Sequence, residues 1–165
     1  MATPDIADAL RDGALAVFYL DLNGFKLLND TEGHDAGDLA LRITADRLRQ
    51  SVRASDHVAR LGGDEFVCLI HDAKPRQAAG HVAKRIQELT DRPIQINGQT
   101  YEVRPSIGVA LADGEMTWDT ILTHADTAMY VAKENRCREA VFHSDDMSRP
   151  QRQEAALNVV ELRAG

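Results

Sequence analysis

The sequence predicts an α+β fold, in which a mostly antiparallel sheet carries helices on its faces. Short apolar segments typical of strands lie before and between three segments of helical periodicity. Two of the turns between strands carry the glycine patterns of antiparallel hairpins. Elements mixed in this order, without regular strand–helix alternation, favour an α+β architecture. The 165 residues, 44 % of them hydrophobic, suffice for one domain with its own core.

The chain begins with a predicted strand and a predicted helix. Residues 15–20 form a continuous apolar run, which is typical of a central strand, and the run ends at a loop that starts with Asp21. Apolar residues then recur at spacings of four, three and four over residues 35–52, which predicts an amphipathic helix. A carboxylate, Asp21, is therefore expected where a buried strand stops.

A hairpin and a second helix follow. Residues 57–61 and 65–70 are predicted strands, because the Gly-Gly pair at residues 62–63 between them favours a tight turn. Cys68 lies in the apolar run of the second strand and is expected to be buried. Apolar residues at helical spacing predict a helix over residues 75–90, whose first residue is a proline that suits a first helical turn.

The rest of the domain is predicted to hold a second hairpin, a third helix and an edge strand. The Asn-Gly dipeptide at residues 97–98 predicts a turn between strands at residues 94–96 and 101–111. Helical periodicity predicts a helix over residues 118–132, and residues 140–142 are predicted to form a short edge strand.

The character of the sequence changes after this strand. We expect residues 1–143 to form the domain and residues 144–165 to form a linker or helical tail. Residues 151–163 favour a helix but are only loosely periodic. Two interpretations stay open, a linker helix towards a neighbouring domain and a short helix docked on this one.

Composition and charge exclude several classes of function. The 19 Lys and Arg against 26 Asp and Glu give a formal charge of −7, which disfavours binding to DNA or RNA polymers. No apolar run approaches the about 20 residues needed to span a bilayer. The two cysteines have no metal-ligand spacing and no disulfide pattern, and no signal peptide is recognisable, so a cytoplasmic location is expected. A nucleotide partner would have to be attracted by something other than net charge.

Three acidic residues indicate a cation-binding site only when they are considered together. Asp21 alone could be a capping residue, and Asp64 and Glu65 alone could be solvated turn residues. If the strand that ends at Asp21 lies beside the hairpin, the three carboxylates converge, and they repel one another unless a cation lies between them. Mg²⁺ suits such oxygen ligands. Gly62 and Gly63 would let a ligand approach the backbone closely.

The residues at this turn match a known family. Gly62-Gly63-Asp64-Glu65-Phe66 is the full GGDEF signature, and the sequence resembles a GGDEF-domain diguanylate cyclase. Further family landmarks match at residues 21–26, 29–30, 33–38, 60–61, 106–109 and 125–133. The match covers about residues 15–142 in the right order and spacing. The resemblance implies a sheet flanked by helices, similar to the adenylyl cyclase catalytic core and to polymerase palm domains.

The resemblance also implies an activity. Family members condense two GTP molecules into cyclic di-GMP and release pyrophosphate, with Mg²⁺ or Mn²⁺ as the cofactor. Each of two subunits holds one GTP, so a transient homodimer is expected. GTP, cyclic di-GMP and a fused sensor or EAL phosphodiesterase domain are the other expected partners.

Two segments supply the metal ligands that the resemblance implies. Carried over by position, Asp21, the carbonyl of Leu22 and Glu65 would bind the metal. Asp64 would be a further ligand or the base near the 3′-hydroxyl, and these two roles stay open. Asp64 and Glu65 are therefore the candidate catalytic residues.

The resemblance assigns a larger set of residues to the substrate. The expected GTP-binding residues are Lys26, Asn29, His34, Asp38, Gly62, Gly63 and Lys133. Asn29 and Asp38 would recognise guanine, because a carboxylate can accept both the N1–H and the 2-amino hydrogens of that base. Lys26 and Lys133 would meet the triphosphate as point charges. For His34, loop packing is as good an interpretation as ligand contact.

A second site is expected upstream of the hairpin. Residues 53–56 fit the RxxD pattern of the family, five residues before the first glycine of the signature. In the family this pattern binds a cyclic di-GMP dimer and inhibits the enzyme, which makes Arg53 and Asp56 candidate inhibitory residues. An ion pair at a helix end is the structural alternative.

Two positions depart from the family pattern. Asn23 stands where many members have a second acid, which the site should tolerate because Asp21 is the expected metal ligand. Arg136-Cys137-Arg138 stands where the family usually has Gly-Arg-Asn, so Cys137 replaces an arginine that commonly helps to hold phosphate. Arg136 or Arg138 could supply that charge from a shifted position.

Three functions remain in competition. An active diguanylate cyclase is favoured by the undamaged acidic residues. A non-catalytic module that binds GTP or cyclic di-GMP and regulates a longer signalling protein is suggested by the departure at residues 136–138 and by the tail. A third function is another palm-like nucleotidyl transferase, against which the acidic composition and the lack of aromatic basic grooves argue.

Overall fold

The computed structural model describes residue 11, residues 14–73 and 76–148, and the backbone of residues 160–161. The helices are α1 (Phe25–Glu32), α2 (His34–Ser51), α3 (Arg76–Thr90) and α4 (Trp118–Glu134). The strands are β1 (Ala16–Asn23), β2 (His57–Gly62), β3 (Glu65–Ile70), β4 (Ile94–Ile96), β5 (Gln99–Tyr101), β6 (Arg104–Leu111), β7 (Val141–Phe142) and β8 (Val160–Glu161). Six strands form a sheet in the order β7-β6-β1-β3-β2-β8, and β4 and β5 form a separate hairpin.

The sheet confirms the predicted α+β architecture. Every strand pair in it is antiparallel except β6 with β7. The apolar strand β1 lies at the centre and is buried at every position but its last, because it pairs with β3 on one side and with β6 on the other. The ends of β1, β3 and β6 therefore meet at one edge of the sheet.

Helices cover the two faces of this sheet and define which side chains share a face. Phe18 and Leu20 belong to the larger core, beneath α2 and α3, whereas Val17 and Tyr19 pack towards α4. Because successive strand residues point to opposite faces, Asp21 lies on the α4 face with Val17 and Tyr19. Gly108 lies where a Cβ atom would come within 2.0 Å of the Met129 backbone nitrogen, so α4 rests directly on β6.

Several predicted boundaries change. Helix α1 was not predicted, because only Leu28 of its eight residues is buried and the segment has little apolar periodicity. Strand β1 continues to Asn23, past the predicted end, since its polar last residues still pair with β6. The single strand predicted over residues 101–111 is divided into β5 and β6.

Of the predicted tail, the structure describes residues 144–148 and the backbone of residues 160–161. Val160–Glu161 form the strand β8 beside β2, where the sequence favoured a helix. This pairing provides hydrogen-bond partners for backbone groups of β2, which would be unpaired if β2 were the edge strand. The other residues of the predicted tail helix lie outside the described part of the chain. Within the described ranges, no helix is both long and apolar enough to cross a bilayer.

Candidate active site

The end of β1 and the β2–β3 turn bring the predicted acidic residues together. The register pairs Asp21 directly with Glu65, which places their side chains on the same face of the sheet. The Leu22 N–H donates to the carbonyl oxygen of Asp64 at 3.1 Å. Asp21 is only 4 % exposed, although it is a carboxylate. The sheet therefore brings the backbones of Asp21, Asp64 and Glu65 to the same edge.

The turn that carries these acids depends on its two glycines. Gly62 has φ of 145° and Gly63 has φ of 52°, a region that favours glycine. A Cβ atom at either position would meet nothing within 4 Å, so backbone conformation, not space within the chain, requires glycine here. The Arg60 Nε–H donates to the Gly63 carbonyl at 2.9 Å and helps to fix the turn.

The carboxylates perturb one another. Burial raises the pKa of the Asp64 carboxyl above its ordinary value, and the charges of Asp21 and Glu65 raise it further. Lys133 opposes this rise, and its Nζ donates to Asp21 Oδ1 at 2.7 Å. Crowded carboxylates that share one ammonium group form a site in which additional positive charge is favourable.

The donor set suits a hard divalent cation. The N–H and the C=O of one strand residue point to the same side of the strand. Because the Leu22 N–H donates to Asp64, the Leu22 carbonyl faces the same turn. Carboxylate and carbonyl oxygens are the ligands that Mg²⁺ prefers. Within the described ranges, however, no three His, Cys, Asp or Glu side chains already converge as a metal cluster, and Lys133 neutralises Asp21. Side chains would have to adjust around the ion.

The predicted guanine-binding residues lie at the junction of α1 and α2. A Cβ atom on Gly37 would come within 1.7 Å of Asn29 Oδ1, so this glycine makes room for the Asn29 amide. Asn29 Oδ1 is buried and has no hydrogen-bond partner among the described residues. The neighbouring Asp38 is exposed and lines a cleft of about 540 Å³ together with Arg42 and Arg60. The structure thus places Asn29 against the residue before Asp38.

Two predicted substrate residues stay outside the carboxylate cluster. Lys26, in the first turn of α1, and His34, at the start of α2, are both exposed. Both side chains are therefore open to solvent.

A cleft of about 560 Å³ lies between the ends of β1 and β6 and the end of α4. Its lining includes Lys133 and all three residues at the departure from the family pattern, Arg136, Cys137 and Arg138. Arg104 on β6 also lines it, and sequence reasoning missed this residue. Only the pairing register brings β6 to this place, and no local sequence signal reports that register.

The predicted inhibitory pair lies in a separate cleft of about 230 Å³, whose lining also includes Arg85. The Asp56 carboxylate accepts hydrogen bonds from the backbone N–H groups of Arg53 at 2.8 Å and His71 at 3.0 Å. Asp56 therefore stabilises the conformation of this loop through hydrogen bonds within the chain. The side chain of Arg53 is exposed and accessible to a ligand.

Comparison with known proteins decides the family. Residues 2–139 match the family model described as diguanylate cyclase, GGDEF domain. The chain belongs to the GGDEF family. A crystal structure of the GGDEF domain of YfiN (TpbB) from Pseudomonas aeruginosa superposes with a TM-score of 0.78 at 37 % identity, covering 84 % of this chain and 90 % of that one.

Curated relatives contain the same domain within longer proteins. The GGDEF chain is 41 % identical over 145 residues to the bifunctional diguanylate cyclase/cyclic di-GMP phosphodiesterase MucR of Pseudomonas aeruginosa, covering 87 % of this chain and 21 % of MucR. It is 36 % identical over 132 residues to the diguanylate cyclase DosC of Escherichia coli K12, covering 78 % of this chain and 28 % of DosC. The chain thus spans less than a third of the length of each of these relatives.

Proposed function

We propose that this GGDEF domain is a metal-dependent diguanylate cyclase, which condenses two GTP molecules into cyclic di-GMP and two pyrophosphates. The observation that carries the proposal is the cross-strand pairing of Asp21 with Glu65, beside an Asp64 whose pKa is raised by burial and by its acidic neighbours. Evidence for the family adds support, because the matched family model and DosC both carry the name diguanylate cyclase.

The acidic residues hold the metal in this proposal. Asp21, the Leu22 carbonyl and Glu65 would bind Mg²⁺ or Mn²⁺, with Asp64 as a further ligand or as the base near the attacking hydroxyl. When bound, the metal neutralises phosphate charge and lowers the pKa of the attacking 3′-hydroxyl. Lys133, whose Nζ donates to Asp21, would bind the triphosphate when a metal is held at Asp21.

The remaining residues orient the nucleotide. Asn29 and Asp38 bind guanine, and Asn29 Oδ1, which has no hydrogen-bond partner among the described residues, is an acceptor that suits the 2-amino group. Lys26 adds charge near the phosphates, Gly62 and Gly63 allow close approach of the substrate, and His34 contacts the ligand or packs its loop.

The stoichiometry requires two copies of the domain. Each site holds one GTP, and the 3′-hydroxyl of each GTP attacks the α-phosphate of the other, so catalysis takes place in a transient homodimer. Product bound at Arg53 and Asp56 inhibits the enzyme, since a guanidinium can pair with phosphate and stack on guanine. A fused sensor or EAL domain would supply the signal in a longer protein.

The first test replaces the metal-binding glutamate. Glu65→Gln keeps the shape of the side chain but removes its charge, so formation of cyclic di-GMP from GTP and Mg²⁺ should fall at least a hundredfold. The matched control is Glu88→Gln, the same change at an exposed residue of α3, which should leave the rate within about twofold. Chromatographic product analysis measures both. Unchanged product formation by Glu65→Gln would refute the assignment of this site.

A second candidate is a non-catalytic module that binds GTP or cyclic di-GMP and regulates a neighbouring domain. Cys137, at the usual position of a phosphate-binding arginine, is the observation that favours it. Calorimetry separates the two candidates, because tight GTP binding without turnover supports the module, whereas turnover supports the cyclase.

A further inference from the structure

The cleft at the end of α4 concentrates positive charge on an acidic chain. The formal charge of the whole chain is −7. The cleft, in contrast, is lined by four cationic and two acidic side chains, namely Arg104, Lys133, Arg136, Arg138, Asp91 and Glu102. This local excess attracts an anion with several charges, which most of the surface repels.

The sheet register aligns Arg104 with the carboxylate site. Arg104 pairs with Asn23, and Asn23 lies two residues beyond Asp21 on the same strand. Residues two apart on a strand share a face, and directly paired residues share one as well. Arg104 therefore lies on the α4 face, together with Asp21 and its partner Lys133.

The guanidinium of Arg104 is only weakly engaged within the chain. Its Nη2 lies 3.4 Å from Glu102 Oε1, and the Glu102 side chain is 63 % exposed, so this ion pair adds little stability. The Nε of Arg104 is buried and has no hydrogen-bond partner in the part of the chain that the structure describes. A buried donor without a partner is costly, so a side-chain movement that brings this partly exposed guanidinium to a phosphate oxygen is favourable.

This chain lacks a cation that the family pattern places in this cleft. Cys137 stands at the position of the usual phosphate-binding arginine and lines the same cleft as Arg104. We propose that Arg104 replaces that arginine and binds the triphosphate of GTP from the β6 side of the cleft, while Arg136 and Arg138 add charge from the α4 side. The inference rests on the proposed function, because it names a further substrate-binding residue of the same site.

The test measures binding apart from turnover. Calorimetry with Mg²⁺ gives the Kd of 3′-deoxy-GTP, a GTP analogue without the attacking hydroxyl, and of inorganic triphosphate for the wild type and for Arg104→Gln. We expect both ligands to bind about tenfold more weakly to the variant. Arg76→Gln is the matched control, because Arg76 lies over the Phe142 ring, at the other end of α3 from the cleft residue Asp91, and should change neither Kd.

Each outcome has one meaning. A wild type that binds the analogue, with Arg104→Gln binding it equally well, overturns the role of Arg104 and leaves the proposed function standing. A wild type that binds neither ligand overturns the proposed function and this inference with it. If circular dichroism shows that Arg104→Gln does not fold, Arg104→Lys is the deciding variant. Lysine keeps the charge but loses the bidentate contact, so this variant should bind both ligands about threefold more weakly.

Discussion

The Asp64 carboxylate occupies an unfavourable electrostatic position at the edge of the sheet. Its burial and the nearby Asp21 charge raise its pKa above the ordinary value of 3.8. A carboxyl whose pKa is raised by folding favours the folded state below its ordinary pKa, and this contribution is lost as the pH rises through the raised pKa. At neutral pH the ionised group therefore costs stability, which metal binding would offset.

Asp64→Asn should stabilise the metal-free chain at pH 7 while it removes cyclase activity. Because the site is partly solvated, we expect a rise in Tm of about 1–2 °C. The rise should vanish as the pH falls below 3.8, where Asp64 is protonated in both states of the wild type. Thermal unfolding in EDTA across this pH range measures it. Asp145→Asn, at an exposed residue, is the control.

A Tm for Asp64→Asn below that of the wild type at pH 7 would contradict the proposed repulsion. Added Mg²⁺ gives a second readout in the same experiment. It should raise the Tm of the wild type more than that of the variant, because ligand binding stabilises only a chain that retains its ligands.

At the scale of elements, the end of α4 shows how the departure at residues 136–138 is accommodated. The N–H of Cys137 donates to the Ala132 carbonyl at 2.8 Å, and the N–H of Arg136 donates to the Lys133 carbonyl at 3.1 Å. This helix ending requires a left-handed residue, and Arg136 adopts φ of 51° where the family usually has glycine. An arginine there carries a conformational cost that glycine would not.

Arg136→Gly should therefore raise stability and weaken substrate binding together. We expect the free energy of unfolding to rise by about 0.5–1 kcal/mol, because glycine adopts the left-handed region without strain but also gains freedom in the unfolded chain. The affinity for GTP should fall, because the cleft loses a cation.

Arg136→Ala separates the two effects in denaturant unfolding and in calorimetry. It removes the same charge but keeps a side chain in the left-handed region, so it should weaken GTP binding without the gain in stability. Equal stability changes in the two variants would contradict the conformational explanation.

The elements also show what the sequence could and could not predict. The buried runs and glycine turns predicted β1, β2, β3 and the second hairpin, because burial and turn chemistry are local properties. Helix α1 was missed since it buries only Leu28 and lacks a strong apolar stripe. Arg104 was missed because its place beside Asn23 depends on a register between strands far apart in the chain.

At the scale of the whole molecule, the net charge and the site charge have opposite signs. The formal charge of −7 disfavours nucleic-acid polymers, whereas the cleft near Lys133 is lined by more cationic than acidic side chains, as the proposed triphosphate ligand requires. The motifs predicted which residues would converge at the carboxylate site, and the sheet order brings Asp21 and Glu65 together as expected. They did not predict that Lys133 pairs with Asp21 in the free chain.

The proposed reaction consumes one GTP from each of two subunits, which makes product formation depend on protein concentration. The most direct test incubates the chain with GTP and Mg²⁺ at several protein concentrations and quantifies cyclic di-GMP and pyrophosphate by chromatography. The account predicts cyclic di-GMP, with an initial rate that rises with about the square of protein concentration while the chain is mainly monomeric. No cyclic di-GMP at any concentration, from a folded chain that binds GTP, would contradict it.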